Sequence, residues 1–261
     1  MRISVIIVTY NRSEALALIL KSVSKQKSLP FEVIVADDGS GPETKVLVDN
    51  LQKSFPVPLK HVWHEDKGFR GAAIRNKAIK KSSGDCLLFS DGDLVFHPKF
   101  FYDFSRNMKP GKALIGSRVF IAQKASEDIL LKKTLPKVPF TSPIIEKNRL
   151  NAIRIPGISK LFPAKNFTIT LRGGLLCAWK KDIIEINGWN EDFEGWGKED
   201  TEIVARLSFK GIKLKKLKFA GITYHLWHKF LSRKKVPSNE LLLTDCIIKH
   251  NKWCRNGLVK S

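Results

Sequence analysis

The sequence predicts an α/β fold in which a mostly parallel central sheet is flanked by helices. Short apolar runs alternate with segments of helical periodicity through the first half of the chain, as in successive βαβ units. Acidic and polar residues follow directly after several of these runs, where an open α/β sheet usually binds its ligands. A length of 261 residues suits one enzyme-sized domain.

The first half of the chain divides into clear elements. In order, the predicted elements are a strand at 3–8, a helix from about residue 13, strands at 31–36 and 59–63, a helix at 71–81 and a strand at 85–89. Asn11 and Ser13 are the residue types that cap helices, so we expect one of them to cap the first helix.

The second half is less regular. Between about residues 122 and 165 the pattern is weak and prolines interrupt it, which predicts a long excursion over the surface. Strands are then predicted at 166–171 and 175–179. A helix is predicted from residue 198 or 199 to 210, where Gly211 closes it.

The net charge of +21 requires a face that attracts phosphate, in nucleic acid, lipid headgroups or nucleotide-sugars. No run approaches the roughly 20 apolar residues of a membrane span, and Met1 leads almost directly into the first strand, so we expect a cytoplasmic protein. The basic excursion and tail predict docking on the inner face of the cell membrane.

The four cysteines lack metal-site spacing and are expected to be reduced and mostly buried.

Two carboxylates, Asp91 and Asp93, follow the apolar run 86–89 and flank Gly92. Mg²⁺ or Mn²⁺ often needs only one or two carboxylates when substrate phosphates complete its shell. The spacing therefore suits a cation that bridges a diphosphate, although an acidic turn would have the same sequence.

A second acidic pair, Glu199 and Asp200, begins a predicted helix three residues after Trp196. An aromatic face can hold a sugar ring, and a carboxylate can accept a proton from a hydroxyl group. The alternative is a helix start in which acidic residues complement the N-terminal dipole.

Several segments resemble the family 2 glycosyltransferases. These are 8–12 (VTYNR), 37–40 (DDGS), 66–76 and the Asp-x-Asp at 91–93. The segments 172–174 (RGG) and 188–200 resemble the galactosyltransferase-type region of chondroitin-polymerase-like enzymes and β-1,4-galactosyltransferases. The resemblance covers about residues 3 to 228. It implies a GT-A type nucleotide-diphospho-sugar transferase fold, with a nucleotide-binding half (1–95), an acceptor-binding half (96–228) and a basic extension (229–261).

The resemblance also implies roles for individual residues. Asp200 would be the catalytic base, and Asp93 and His225 would bind the metal, with His228 matching less well. The acceptor would contact Glu199, Trp196 and Gly174. The donor would contact Thr9, Tyr10, Asn11, Asp37, Asp38, Arg75, Asn76, Asp91 and Gly92. Trp189 is expected in the core, and His61, His64, His97 and His250 receive no role.

The implied activity is inverting, Mn²⁺- or Mg²⁺-dependent transfer of a hexose or N-acetylhexosamine from a UDP-sugar to a glycan or lipid-linked acceptor. Such a reaction would serve bacterial surface polysaccharide or lipopolysaccharide synthesis. The sequence departs from the animal galactosyltransferases in having no signal anchor and in reading KEDT at 198–201, so the donor sugar stays open.

Two other classes remain open. A nucleic-acid-binding protein would suit the charge, but no recognition motif appears and the acidic clusters would repel phosphate. A catalytically silent sugar-binding module would share the fold. A dinucleotide-dependent oxidoreductase is disfavoured, because the first strand leads into Thr9 rather than into a glycine-rich loop.

Overall fold

The structure is a computed structural model that describes residues 1–155, 157–169, 174–229 and 232–261. Its elements are, in chain order, β1 (Ile3–Thr9), α1 (Ser13–Ser24), β2 (Glu32–Asp37), α2 (Pro42–Gln52), β3 (Leu59–Trp63), α3 (Gly71–Lys81), β4 (Cys86–Asp91), β5 (Leu94–Phe96), α4 (Phe100–Asn107), β6 (Lys112–Ile115), β7 (Ser117–Ile121), α5 (Gln123–Lys132), β8 (Ile145–Lys147), β9 (Leu175–Trp179), α6 (Lys180–Glu185), α7 (Glu199–Phe209), β10 (Lys213–Lys216), β11 (Ile222–His225) and α8 (Val236–Ile248).

Seven strands form the central sheet in the order β10-β6-β9-β4-β1-β2-β3. β1 pairs in parallel with β2 and with β4, and β3 continues the parallel block. β9 is antiparallel to both of its neighbours, β4 and β6. The carboxyl ends of β1, β2 and β4 therefore meet at one edge of the sheet, as the α/β pattern predicts.

The central strands are buried on both faces. In β1, Val5 and Ile7 pack on the side of α1, whereas Ile6 belongs to a second apolar cluster on the side of α3. Because successive side chains of a strand point to opposite faces, a strand covered on both faces reads as a continuous apolar run. This explains the uninterrupted sequence of β1.

A smaller four-stranded sheet, in the order β5-β11-β7-β8, stands beside the first. β5 follows the β4–β5 turn directly, and it pairs with β11 so that Leu94 lies opposite His225. This antiparallel pairing brings the end of the chain's last strand back to the acidic turn at 91–93. Neighbouring strands lie about 4.8 Å apart, so side chains at this junction can share one ion.

Most predicted elements of the first half are confirmed, including β3 and α3 with the predicted bounds. The predicted cap of α1 is wrong. Arg12 occupies the N-cap position and no side chain caps the helix. The Asn11 side chain instead accepts a hydrogen bond from Gly41 N at 2.9 Å, because Asn11 lies in the loop that contacts the end of β2.

The predicted surface excursion at 122–165 is only partly correct, because the segment contains α5 and β8 and buries Val138 and Ile145. The predicted strand at 166–171 is not found over 166–169. Lys165 instead forms an isolated bridge with Leu214. Positions 170 and 171, and Arg172 and Gly173 of the predicted acceptor motif, lie outside the described residues.

Residues 232–261 pack against the second half of the domain rather than extending from it. The Asn187 side chain donates to the carbonyls of Cys254 and Val259, each at 2.7 Å. The Asn239 side chain donates to Gly197 O at 2.9 Å. The basic tail predicted from residue 229 therefore packs against the loop at 188–197.

All four cysteines are buried and free, as expected. Among the residues that the structure describes, no helix combines the length and the apolarity that crossing a bilayer requires.

Candidate active site

The predicted donor carboxylates, Asp37 and Asp38, lie at the carboxyl end of β2 and are both buried. Asp37 accepts hydrogen bonds from Ser40 N at 2.8 Å and forms a 2.9 Å contact with His61 Nε2. Asp38 is bound to His64 Nε2 at 2.6 Å and accepts from Arg70 N at 2.9 Å. These contacts fix the orientation of both carboxylates.

The sequence predicts no role for His61 and His64, yet each contacts one of these carboxylates. His61 lies opposite Val35 in the β2–β3 pairing, on the same face as Asp37 two residues further on. Burial would raise the pKa of Asp37, but its bonds to His61 and Ser40 dominate and lower it. For Asp38 burial dominates and raises the pKa, although Arg70 and His64 oppose it.

The loop after β1 covers this end of β2. Tyr10 is exposed, and its hydroxyl donates to Asp66 Oδ2 at 2.7 Å. Asn11 N donates to Ser40 Oγ at 2.9 Å, which ties the two loops together. The Thr9 hydroxyl is buried and has no hydrogen-bond partner within the described residues, as expected of a group that would bind a ligand. These predicted donor residues thus lie together at the carboxyl ends of β1 and β2.

The acidic turn between β4 and β5 lies directly against β1. A Cβ atom at Gly92 would overlap with the carbonyl oxygen of Val8. Only glycine allows this approach, so the turn places Asp91 and Asp93 next to the donor loop.

Asp91 lies between two arginines. Arg75 Nη2 is 3.2 Å from Asp91 Oδ1, and Arg118 Nη1 is 3.7 Å from Asp91 Oδ2. A Cβ atom at Gly174 would overlap with Arg118 and lie 2.8 Å from Asp91, so this predicted acceptor residue is at the same place. Arg118 was missed from the sequence, because only the β11–β7 pairing brings its strand to the site.

Asp93 lies between two imidazoles. His225 Nε2 is 3.5 Å and His228 Nε2 is 3.0 Å from Asp93 Oδ2. Burial opposes ionisation, but the imidazoles of His225 and His228 lower the pKa of Asp93 to about 2. The carboxylate is therefore charged across the physiological range.

These three side chains fit a divalent cation. Their ligand atoms all lie within 4.8 Å of one another. Asp93 Oδ1 and His225 Nδ1 are buried and lack a hydrogen-bond partner among the described residues. Carboxylate oxygens and imidazole nitrogens are both ligands of divalent metal ions in proteins. His228 joins the predicted His225 in this group.

Glu199 and Asp200 occupy the first turn of α7. Gly197 and Lys198 both have positive φ, 115° and 75°, so the chain turns sharply into the helix. Glu199 Oε2 accepts a hydrogen bond from Gly197 N at 3.2 Å. Burial and then the charge of Asp200 raise the pKa of Glu199 to about 7. Near pH 7 Glu199 is therefore about half protonated.

The two tryptophans of this region behave differently. Trp196 is 40% exposed, and the Arg233 guanidinium lies 5.9 Å from its ring centre. Trp189 is fully buried and packs edge-on against Phe89 at 5.2 Å, as expected of a core residue.

Asn76 is buried, and its side chain is held by neighbouring protein groups. It is 1% exposed, and its amide donates to Trp189 O at 2.8 Å and to Glu191 Oε1 at 2.9 Å, while its oxygen accepts from Trp189 N. The predicted contact between Asn76 and the donor therefore has no support in the geometry. Its position indicates that it holds the 188–191 segment in place.

Arg75 connects the two halves of the site. It is 4% exposed, stacks on Trp189 at 4.5 Å, and lies 3.2 Å from Asp91 and 4.0 Å from Glu199. Burial raises the pKa of Asp91, Arg118 and Arg75 oppose that rise, and the charges of Asp93 and Asp200 add to it. The charged side chains of the acidic turn and of the start of α7 thus interact electrostatically.

Comparisons with known proteins agree with this arrangement. Residues 4–162 match the family described as glycosyl transferase family 2, and residues 158–229 match the one described as the N-terminal domain of galactosyltransferase. The chain is 28% identical to validoxylamine A glucosyltransferase of Streptomyces hygroscopicus subsp. limoneus, over 81% of this chain and 49% of the relative. It is 27% identical to chondroitin synthase of Escherichia coli, over 85% of this chain and 34% of the relative.

Solved structures share the fold. TarS 1–349 of S. aureus in complex with UDP superposes with a TM-score of 0.65 at 17% identity, over 94% of this chain and 65% of that one. The mannosyltransferase PcManGT from Pyrobaculum calidifontis in complex with GDP-Man and Mn²⁺ gives 0.60 at 18% identity, over 87% of this chain and 57% of that one. The predicted GT-A type fold is confirmed. The chain spans about half or less of the length of the two curated relatives.

Proposed function

The chain belongs to glycosyltransferase family 2, and on that premise we propose that it transfers a hexose or N-acetylhexosamine from a UDP-sugar to a hydroxyl group of a glycan acceptor. The proposal includes a divalent cation and inversion at the anomeric carbon. We propose that this reaction contributes to the synthesis of a bacterial surface polysaccharide or lipopolysaccharide.

The observation that carries this proposal is the position of Arg75. Its guanidinium contacts Asp91 on the donor side and approaches Glu199 on the acceptor side. We infer that the donor side at Asp91 and the acceptor side at Glu199 belong to one cleft. Transfer requires the reacting hydroxyl and the anomeric carbon to meet at about 3–3.5 Å, which only a shared cleft allows.

Asp200 is proposed as the general base. It lies in the first turn of α7, half-buried, with the Thr201 hydroxyl 3.2 Å from its Oδ1. An ionised carboxylate there would accept the acceptor's proton as the oxygen attacks the anomeric carbon. Attack from the face opposite the leaving group inverts that carbon.

Glu199 is proposed to hold the acceptor as a neutral acid. A protonated carboxyl can donate one hydrogen bond and accept others, so it can orient a second hydroxyl without repelling Asp200. Trp196 would cover the apolar C–H face of the sugar ring. The neighbouring Arg75 would stabilise negative charge that develops towards the donor phosphates.

Asp93, His225 and His228 are proposed to hold the cation, Mn²⁺ or Mg²⁺. When bound there, a divalent cation would neutralise charge on the departing diphosphate. Arg12 lies on the same side, with Nη2 3.5 Å from Trp227 O, and adds positive charge near Asp93.

UDP is proposed as the donor nucleotide from the family resemblance. TarS has been solved with UDP and with UDP-GlcNAc, whereas PcManGT was solved with GDP-Man. The test is calorimetric titration with a panel of UDP- and GDP-sugars, with Mn²⁺ and then with chelator. We expect one UDP-sugar to bind only when metal is present. Binding of GDP-sugars alone would contradict the UDP assignment, and binding of no nucleotide-sugar would contradict the transferase proposal.

The raised pKa of Glu199 predicts a pH-dependent stability. Its folded-state pKa of about 7 exceeds the ordinary value of 4.5, so the folded protein binds more protons between these values and the free energy of unfolding falls as pH rises. Glu199→Gln removes this pH-dependent loss. Between about pH 5 and pH 8, the free energy of unfolding of the variant should rise by about 2 kcal/mol relative to that of the wild type. Denaturant unfolding at both pH values measures it.

The matched control for this prediction is Glu185→Gln, which neutralises an exposed glutamate at the end of α6. The control should follow the wild type at both pH values. If Glu199→Gln shows the same pH profile as the control, Glu199 is ionised throughout the range and the proposed neutral role is wrong.

A further inference from the structure

Away from the active site, four lysines that have no ion pair in the described part of the chain form one group. We call Lys109, Lys112, Lys160 and Lys215 the lysine cluster. Lys112 begins β6, Lys215 lies within β10, Lys109 is in the turn before β6, and Lys160 is in a short 3₁₀ turn at 158–161.

Backbone contacts bring these four residues together. In the parallel pairing of β10 with β6, Lys213 lies opposite Lys112 and Lys215 opposite Leu114, so Lys112 and Lys215 share a face. Lys112 N donates to Lys109 O at 3.2 Å. The Ser159 hydroxyl donates to Asn107 Oδ1 at 3.0 Å. This bond holds the 3₁₀ turn that contains Lys160 close to Lys109, which follows Asn107 by two residues.

Lys215 is the unusual member, because it is only 8% exposed. In the part of the chain that the structure describes, none of the four ammonium groups has a hydrogen bond or an ion pair. Burial, followed by the charges of Lys112, Lys109 and Lys160, holds the pKa of Lys215 below its usual range. Grouping cations without an acid destabilises a fold, so an anion that enters the group would relieve the repulsion.

The lysine cluster is at the opposite end of the sheet from the active site. β4 and β6 are both antiparallel to β9, so they run in the same direction. Asp91 is the last residue of β4 and Lys112 is the first of β6. A partner bound at the cluster would therefore leave the cleft open to substrates.

Apolar side chains stand beside these cations. Leu161 follows Lys160 directly and is 77% exposed. The Lys218 ammonium lies 4.8 Å from the centre of the Phe162 ring. A free phosphate ion would gain nothing from an exposed leucine, whereas a membrane surface accepts both the apolar side chain and the cations.

We propose that the lysine cluster binds the phosphate groups of anionic lipid headgroups and, with Leu161 in the headgroup layer, seats the protein on a membrane surface. The attraction is electrostatic, so it weakens as the salt concentration rises. It does not depend on which sugar the active site transfers.

The test is co-sedimentation of the full chain with vesicles of phosphatidylcholine alone and of equimolar phosphatidylcholine and phosphatidylglycerol. We expect binding to the anionic vesicles only. The triple variant Lys109→Gln, Lys112→Gln, Lys160→Gln should lower the partition coefficient about a hundredfold, since each lysine near the surface contributes about 1 kcal/mol. All three side chains reach solvent, so the variant should fold.

A matched triple variant, Lys77→Gln, Lys234→Gln, Lys252→Gln, removes the same charge from exposed positions elsewhere. It should retain most of the vesicle binding. Equal losses in both variants would mean that net charge alone drives binding and would overturn the proposal. So would cluster-dependent binding of inorganic phosphate, or of a short DNA duplex, without binding to anionic vesicles.

Lys215→Met gives an independent measurement, because it keeps the length of the buried stem and removes its charge. We expect it to raise the melting temperature in low-salt, phosphate-free buffer while weakening binding to anionic vesicles. A variant that melts lower and still binds vesicles like the wild type would show that Lys215 only supports the fold, which would overturn the proposal.

Discussion

Asp200→Asn is expected to lower the rate of sugar transfer about a thousandfold while leaving UDP-sugar binding unchanged. Asparagine has nearly the same shape but cannot accept the acceptor's proton. In the described part of the chain, Asp200 accepts a hydrogen bond from Thr201 in its own helix, and it acts on the predicted donor residue Asp91 through its charge. The loss should therefore fall on the chemical step and leave donor affinity intact. Single-turnover transfer and calorimetric binding of the donor, measured on the same preparation, separate the two.

The control is Asp245→Asn, the same replacement at an exposed position of α8. It should retain full transfer activity. Undiminished turnover in Asp200→Asn would remove this residue as the base, and Glu199 would be the next carboxylate to test. Loss of donor binding along with turnover would instead indicate that Asp200 supports the donor site.

Asp93→Ala is expected to weaken Mn²⁺ binding at least about a hundredfold and to abolish the metal-dependent part of UDP binding. Removing a residue that only hydrogen-bonds to a metal ligand typically lowers metal affinity 10–100-fold, so removing a ligand itself should lower it further. The buried, unpaired Asp93 Oδ1 marks this carboxylate as the oxygen donor of the group. Titration of the metal alone, followed by titration of UDP with and without Mn²⁺, measures both effects.

The matched control, Asp128→Ala, removes an exposed carboxylate of α5 and should bind Mn²⁺ like the wild type. His225→Ala and His228→Ala then show which imidazole completes the site. If Asp93→Ala responds to metal as the wild type does, the proposed metal site is wrong. Thermal unfolding in chelator confirms that each variant is folded.

Much of the fold could be predicted because its elements have strong local patterns. β1 and β2 are short, apolar and buried on both faces, and α3 has bounds that match the prediction. The interval 122–165 was harder, since β8 has only three residues and depends on β7 for its hydrogen bonds. A strand of that length has no pattern of its own to recognise.

The candidate site divides in the same way. The sequence identifies the two acidic pairs because one follows a buried strand and the other begins a helix. The members of each pair are also within two residues of each other, at Asp91 and Asp93 and at Glu199 and Asp200. His61, His64 and Arg118 could not be identified in this way, because strand registers decide which side chains meet across the sheets. Asn76 had the sequence context of a ligand contact but is buried beneath Trp189.

The sequence by itself determined the α/β class, the family and the acidic residues at the centre of the proposed chemistry, because apolar periodicity and contiguous motifs are local properties. Only the tertiary structure decided that His225 and His228 both reach Asp93 and that Arg75 lies between Asp91 and Glu199. It also brought three lysines from different elements close to a buried fourth, Lys215. Those contacts join residues far apart in the chain, and their geometry depends on pairing and packing that local patterns do not specify.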